Sequence, residues 1–193
     1  MNWMKKVAVA LVCLLPLGLQ AAKVDTLQVK SPSMNKSIEV VVVSPDVAAT
    51  KACPVIYLLH GYGGNARTWV GIKPDLPKIA DEKGIFFVCP DGKNTWYWDS
   101  PLNADVRYET FISNELVKYV DSHYKTVADR KGRAITGLSM GGHGAMWNGL
   151  RHSDVFSAAG STSGGVDIRP FPKNWEMSVQ IGEKAKYPEN WEK

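Results

Sequence analysis

The run Pro54-Val55-Ile56-Tyr57-Leu58-Leu59 is apolar at every position, and this constrains the fold more than any other stretch. A half-solvated strand would alternate with polar residues. A short run with no polar face fits a strand buried on both sides, as in a parallel sheet covered by helices. Ile85-Phe86-Phe87-Val88 repeats the pattern, and Ala134-Ile135-Thr136 and Phe156-Ser157-Ala158-Ala159-Gly160 read as two more strands. Helical spacing lies between them. Residues 75–83 carry Leu76, Ile79 and Ala80 and stop at Gly84; residues 107–124 carry Tyr108, Phe111, Ile112, Leu116, Tyr119 and Val120; a third helix follows Ser139 to about Arg151. Ahead of these, residues 26–30 and 37–43 flank a polar turn and read as an antiparallel hairpin. A hairpin followed by β-α-β-α-β-α-β predicts an α/β fold with a mostly parallel sheet and helices on both faces, because each parallel return needs a right-handed crossover.

At 193 residues the chain supports one core and is too short for two comfortable domains. Residues 1–21 join a basic start, Lys5-Lys6, to an apolar run over residues 7–19 and then to Gln20-Ala21-Ala22. That layout predicts a secretory signal peptide cleaved after Ala21, leaving residues 22–193 as the mature domain in the periplasm or outside the cell. A membrane anchor is the competing reading, but the run is about 13 residues against roughly 20 for a span. A lipoprotein site at Cys13 is disfavoured by the bulky Leu11-Val12 before it. Loss of Lys5 and Lys6 takes the formal charge from +4 to +2. The remaining basic residues are scattered among acids, so nothing points to nucleic acid. Histidines and cysteines show no metal-ligand spacing, and neither a metal nor a cofactor is expected. Cys53 and Cys89 sit at opposite ends of strands expected to be parallel neighbours, on the order of 20 Å apart, which predicts two free, buried thiols and no disulfide.

The carboxyl ends of the predicted strands, where open α/β sheets bind ligands, supply His60-Gly61-Tyr62, Asp91-Gly92 and Ser139. Gly137-Leu138-Ser139-Met140-Gly141 runs from a strand into a helix, the context in which G-x-S-x-G presents a nucleophilic serine on a strained turn. Acyl transfer by serine needs two N–H donors for the oxyanion as well as a base. The Met140 amide, at the start of the helix, is one candidate; the Tyr62 amide, in the loop Gly61-Tyr62-Gly63-Gly64, is the other.

These segments, Tyr57-Leu58-Leu59-His60-Gly61-Tyr62-Gly63-Gly64, Pro90-Asp91-Gly92, Trp96-Tyr97-Trp98-Asp99 and Gly137-Leu138-Ser139-Met140-Gly141-Gly142, resemble the Putative esterase family, with its tributyrin esterases, S-formylglutathione hydrolases or esterase D-like enzymes, and feruloyl and acetylxylan esterases. The similarity spans roughly residues 51–165. It implies an α/β-hydrolase fold, Ser139 as nucleophile, Tyr62 and Met140 as the oxyanion hole, and Trp96, Tyr97 and Trp98 as the substrate-binding wall.

The departure from that pattern is the base. The partners of the serine are expected after it, in the order acid then histidine, and no histidine follows His152. His143, one helical turn past Ser139, reads as helix packing; His60 reads as a structural hydrogen-bonding residue; His123 and His152 read as capping or surface residues. Asp167 follows the last strand but has no later histidine to orient. The tail from Phe171 reads as the start of a lid-like insertion, and the domain is expected to be incomplete at its C-terminus by about 70 to 100 residues. The resulting expectation is an exported serine carboxylesterase acting on short-chain acyl esters or acetyl or feruloyl esters of carbohydrate, with little turnover from these residues alone. The alternatives are a carbohydrate-binding protein that lacks the triad and an acyltransferase of the mycolyltransferase kind.

Overall fold

A computed structural model describes residues 22–192. The expected leader 1–21, with Cys13, lies outside the described residues. The elements run β1 (Lys23–Ser31), β2 (Lys36–Ser44), β3 (Val55–Leu59), α1 (Thr68–Ile72), α2 (Leu76–Lys83), β4 (Phe86–Pro90), α3 (Tyr108–Thr110), α4 (Leu116–His123), β5 (Arg133–Gly137), α5 (Met140–Arg151), β6 (Ala158–Ala159) and α6 (Met177–Ile181). One six-stranded sheet has the order β1-β2-β4-β3-β5-β6. The β1–β2 hairpin joins antiparallel through β2 to β4, and β4, β3, β5 and β6 are parallel.

The apolar runs are buried on both faces by alternation. On one side of the sheet Val40, Val42, Val55, Tyr57, Leu59, Phe86 and Val88 pack against Tyr108, Phe111, Leu116, Val120 and Ala145 from α3 to α5. On the other, Val41, Val43, Leu58, Phe87 and Cys89 pack against Leu76 and Ala80 of α2. Each such aliphatic side chain stabilises the fold by about 2 kcal/mol when fully buried. Gly84 closes α2 in the left-handed conformation, φ 62°. Cys53 and Cys89 are free and buried.

Three elements differ from expectation. The strand read over residues 156–160 shrinks to Ala158–Ala159, both exposed, paired on one side by β5. The helix expected over residues 107–124 passes through a π-helical stretch, Phe111–Glu115, between α3 and α4. A short helix, α1, occupies residues without a readable apolar period. No helix among the described residues is long and apolar enough to cross a membrane.

Candidate active site

β5 delivers Ser139 to the carboxyl edge of the sheet, and α5 starts at the next residue. Ser139 holds φ 52° and ψ −120°, a conformation that L-residues rarely adopt. The turn survives because α5 lies almost on β5 and β3: a Cβ at Gly137 would meet the Gly141 carbonyl oxygen at 2.3 Å, and one at Gly141 the Leu59 carbonyl oxygen at 2.2 Å. The Ser139 amide donates to the Thr162 carbonyl (2.8 Å) and the Leu138 amide to Leu59 (3.3 Å). The side chain is exposed, and its hydroxyl has no hydrogen-bond partner among the described residues.

The loop after β3 abuts this serine. A Cβ on Gly61 would come within 3.4 Å of the Ser139 Cβ. His60 is fully buried; its Nδ1–H donates to the Gly61 carbonyl (2.7 Å), which also accepts from the Gly64 amide (3.0 Å). The carbonyl and amide of a trans peptide unit point in opposite directions, so fixing the Gly61 oxygen turns the Tyr62 N–H away from those bonds. The Gly92 amide donates to His60 Nε2 (2.9 Å), and Asn94 Oδ1 accepts from the Gly63 amide (2.9 Å). Neither the Tyr62 nor the Met140 amide donates to any described residue. The Met140 amide also stands at the N-terminus of the 12-residue α5, where the helix field favours negative charge.

The aromatic loop splits in two. Lys93, Trp96 and Tyr97 all have positive φ (49°, 60° and 61°), and the Tyr97 ring turns away from those of Trp96 and Trp98, which stack with centroids 5.6 Å apart. Trp96 lines a cavity of about 240 Å³ with Tyr62, Ser139, Met140, Phe171, Trp175 and Met177. Tyr97, expected on the substrate wall, is instead wholly buried. Its ring occupies the space left by Gly92 and Gly144, and its hydroxyl donates to the His60 carbonyl (3.0 Å), so it supports the loop from beneath. Trp98, also expected there, lines a second cavity of about 520 Å³ with His143, Trp147 and Glu109. Phe171, Trp175 and Met177 on the Ser139 cavity fall in the tail that the sequence reads as the start of a lid-like insertion, though none of the three was expected as cavity lining.

All four histidines are engaged elsewhere. The Trp98 indole donates to His143 Nε2 (2.9 Å), and His143 Nδ1–H donates to the Gly165 carbonyl (2.7 Å). Burial lowers the His143 pKa, against a smaller opposing effect of the Gly165 bond. His152 meets Glu109 (2.9 Å), and His123 bonds the Tyr119 carbonyl (2.8 Å). Asp167 is exposed and held by both Arg169 nitrogens (2.8 and 3.0 Å). Among the described residues no group of His, Cys, Asp and Glu could hold a metal ion.

Residues 31–192 match the family described as Putative esterase. Esterase Rv1288 of Mycobacterium tuberculosis is 30% identical over 149 residues, covering 74% of this chain and 32% of its own length. An acetyl esterase of Caldicellulosiruptor saccharolyticus is 32% identical over 102 residues, 52% of this chain and 37% of its own. The chain thus spans about a third of the length of these relatives. A solved ferulic acid esterase superposes with a TM-score of 0.70 at 30% identity, covering 86% of this chain and 70% of that one.

Proposed function

The chain belongs to the Putative esterase family, and from that membership we propose that it contributes the nucleophilic half of a serine carboxylesterase, with Ser139 forming the acyl-enzyme. The observation that carries the proposal is the strained, exposed Ser139 beside two unoccupied backbone donors. Ser139 Oγ attacks the ester carbonyl as a base takes its proton. The new oxyanion accepts from the Tyr62 and Met140 amides. The carbon–oxygen bond to the alcohol breaks, the alcohol leaves with the proton, and water then releases the acid by the same route. Each such donor is worth about 3 kcal/mol in the barrier.

On this reading the base and its orienting acid come from chain outside residues 22–192, because the four imidazoles here are otherwise bonded. Export is part of the same proposal, resting on the pattern of residues 1–21. The aromatic lining of the Ser139 cavity fits acetyl or feruloyl esters on carbohydrate, and the relatives include an acetyl esterase and a ferulic acid esterase. A second reading, a carbohydrate binder without a triad, is favoured only by the engagement of all four imidazoles among the described residues.

A fluorophosphonate probe separates the two. A chain of the relatives' length is expected to label at Ser139 and to lose labelling in Ser139→Ala. Absence of labelling in such a chain would sink the esterase reading. Residues 22–193 alone are expected to turn over p-nitrophenyl esters little if at all; ordinary esterase rates from them would contradict the missing base.

A further inference from the structure

Two segments wall the Ser139 cavity near the start of α5: the aromatic loop, through Trp96, and residues 163–165. Each holds a non-glycine residue in the left-handed region, Trp96 at φ 60° and Ser163 at φ 53°, and such strain persists only where surrounding contacts over-determine it. The two walls meet in ordinary contact, with a Cβ on Gly165 lying 3.7 Å from the Trp96 ring. Residues 163–165 also press on α5, where a Cβ on Gly164 would come within 2.8 Å of the His143 nitrogen.

Both walls are bonded to one buried side chain. His143 is 6% exposed and does not itself line the Ser139 cavity. Its Nε2 accepts from the Trp98 indole (2.9 Å), and its Nδ1–H donates to the Gly165 carbonyl (2.7 Å). An indole N–H can only donate and a carbonyl only accept, so these partners demand a neutral ring with its single proton on Nδ1. Burial favours that uncharged form. The imidazole also meets Trp96 edge-on (5.2 Å between centroids, 81°) and lies against Trp147 (6.1 Å, 17°), whose indole is fixed by Glu109 (2.7 Å). Trp96 lines the Ser139 cavity and Trp98 the larger one, so their stacked rings form a partition between the two, and His143 stands against it.

We infer that His143 is a positioning residue of the proposed reaction: as the Nδ1–H tautomer it braces the Trp96–Trp98 partition against residues 163–165 and so fixes two walls of the Ser139 cavity. The opposite tautomer would set an N–H against the Trp98 N–H and a lone pair against the Gly165 oxygen, losing both bonds at once. The two bonds join segments that enter the cavity from different connections, after β4 and after β6, and α5 carries the brace and Ser139 together. Wall spacing is thereby referred to the same helix that presents the nucleophile.

The inference takes its catalytic meaning from the reading of Ser139 above, but its test needs no turnover. Nitrogen-15 NMR of the full chain at pH 7 is expected to show His143 protonated at Nδ1 and bare at Nε2. Hydrogen exchange is then followed at the Trp98 indole and in peptides spanning residues 161–168, with residues 36–44 as reference. His143→Asn keeps a donor near the Nδ1 position and loses the acceptor for Trp98. It is expected to speed exchange of the Trp98 indole about fivefold, the effect of losing one ordinary hydrogen bond, with residues 161–168 near wild type. His143→Gln keeps an acceptor near the Nε2 position and is expected to do the reverse. His143→Phe keeps a ring, loses both bonds and is expected to speed both. A proton on Nε2, wild-type exchange in His143→Phe, the same response of both walls to Asn and Gln, or an equal rise in residues 36–44 overturns the inference. Lack of fluorophosphonate labelling overturns the esterase reading and leaves the tautomer and the exchange pattern as they are, so the two failures are distinguishable.

Discussion

Gly141→Ala measures how tightly the turn at Ser139 is closed. Gly141 lies in the first turn of α5, and in an unencumbered helix interior alanine there would add about 1 kcal/mol of stability. Here the new Cβ would stand 2.2 Å from the Leu59 oxygen, 2.5 Å from its carbon and 2.6 Å from the His60 oxygen. All three are backbone atoms at the end of β3, so no side chain can swing aside. Ordinary contact begins at 3.4 Å, and 3.4 − 2.2 gives 1.2 Å by which α5 must separate from β3. Overpacking costs about 1–3 kcal/mol, and a rigid backbone neighbour places this case at the upper end. Subtracting the gain in helix propensity leaves a net loss of about 2 kcal/mol, or roughly 4–8 °C in Tm for a chain of this size. Gly71→Ala is the control: it sits in α1 with nothing within 4 Å of the added carbon, and is expected to be neutral or stabilising by up to about 1 kcal/mol. Urea denaturation followed by tryptophan fluorescence reads both. A Gly141→Ala midpoint equal to or above wild type, at an unchanged m-value, would refute the close approach as the reason for glycine.

Two further outcomes follow from buried groups. Glu109 accepts from the Trp147 indole (2.7 Å), Arg151 Nε (2.9 Å) and His152 Nε2 (2.9 Å), and although burial works to raise its pKa, these bonds hold it below the usual carboxylate value. A depressed folded-state pKa gives stability that is complete above the unfolded value of about 4.3 and is lost as pH falls through and below it. Glu109→Gln should therefore cost about 1–3 kcal/mol at pH 7, and its urea midpoint should fall less between pH 5 and 3 than that of wild type; parallel curves would refute the assignment. Burial pushes the Cys89 thiol up to about 12 and the Cys53 thiol up as well. Both should resist thiol reagents at pH 8 in the folded protein and react together in denaturant, and rapid native labelling or a bond between them would contradict the sheet register.

The sheet was legible because its strands had no polar face to confuse with anything else: residues 54–59 and 85–88 lie where β3 and β4 run, within a residue or two. β6 was overread, since Phe156 packs in the core as a loop residue and the apolar text continues past the pairing. Trp96, Tyr97 and Trp98 were read as one wall, yet consecutive positive φ values at Trp96 and Tyr97 turn the Tyr97 ring under the His60 loop while the Trp96 and Trp98 rings stack on each other. No composition or spacing rule reports a backbone twist of that kind in bulky residues. His143 read correctly as packing from its place one turn below Ser139, whereas its two bonds, to Trp98 and Gly165, join segments far apart in the chain. The tail from Phe171 was read as the start of a lid-like insertion, but its contact with the aromatic loop was not legible, because the Trp96–Trp175 bond bridges 79 positions.

The near-contact of α5 with β3 limits how this architecture can change over generations. Side chains come in steps, and the smallest step above glycine already overshoots the space at positions 137 and 141. There is no intermediate residue through which the spacing could be loosened by degrees. The turn is inherited whole or lost, and divergence in what such a pocket accepts must accumulate on its opposite rim, at exposed positions such as Phe171 and Trp175, where substitutions meet solvent.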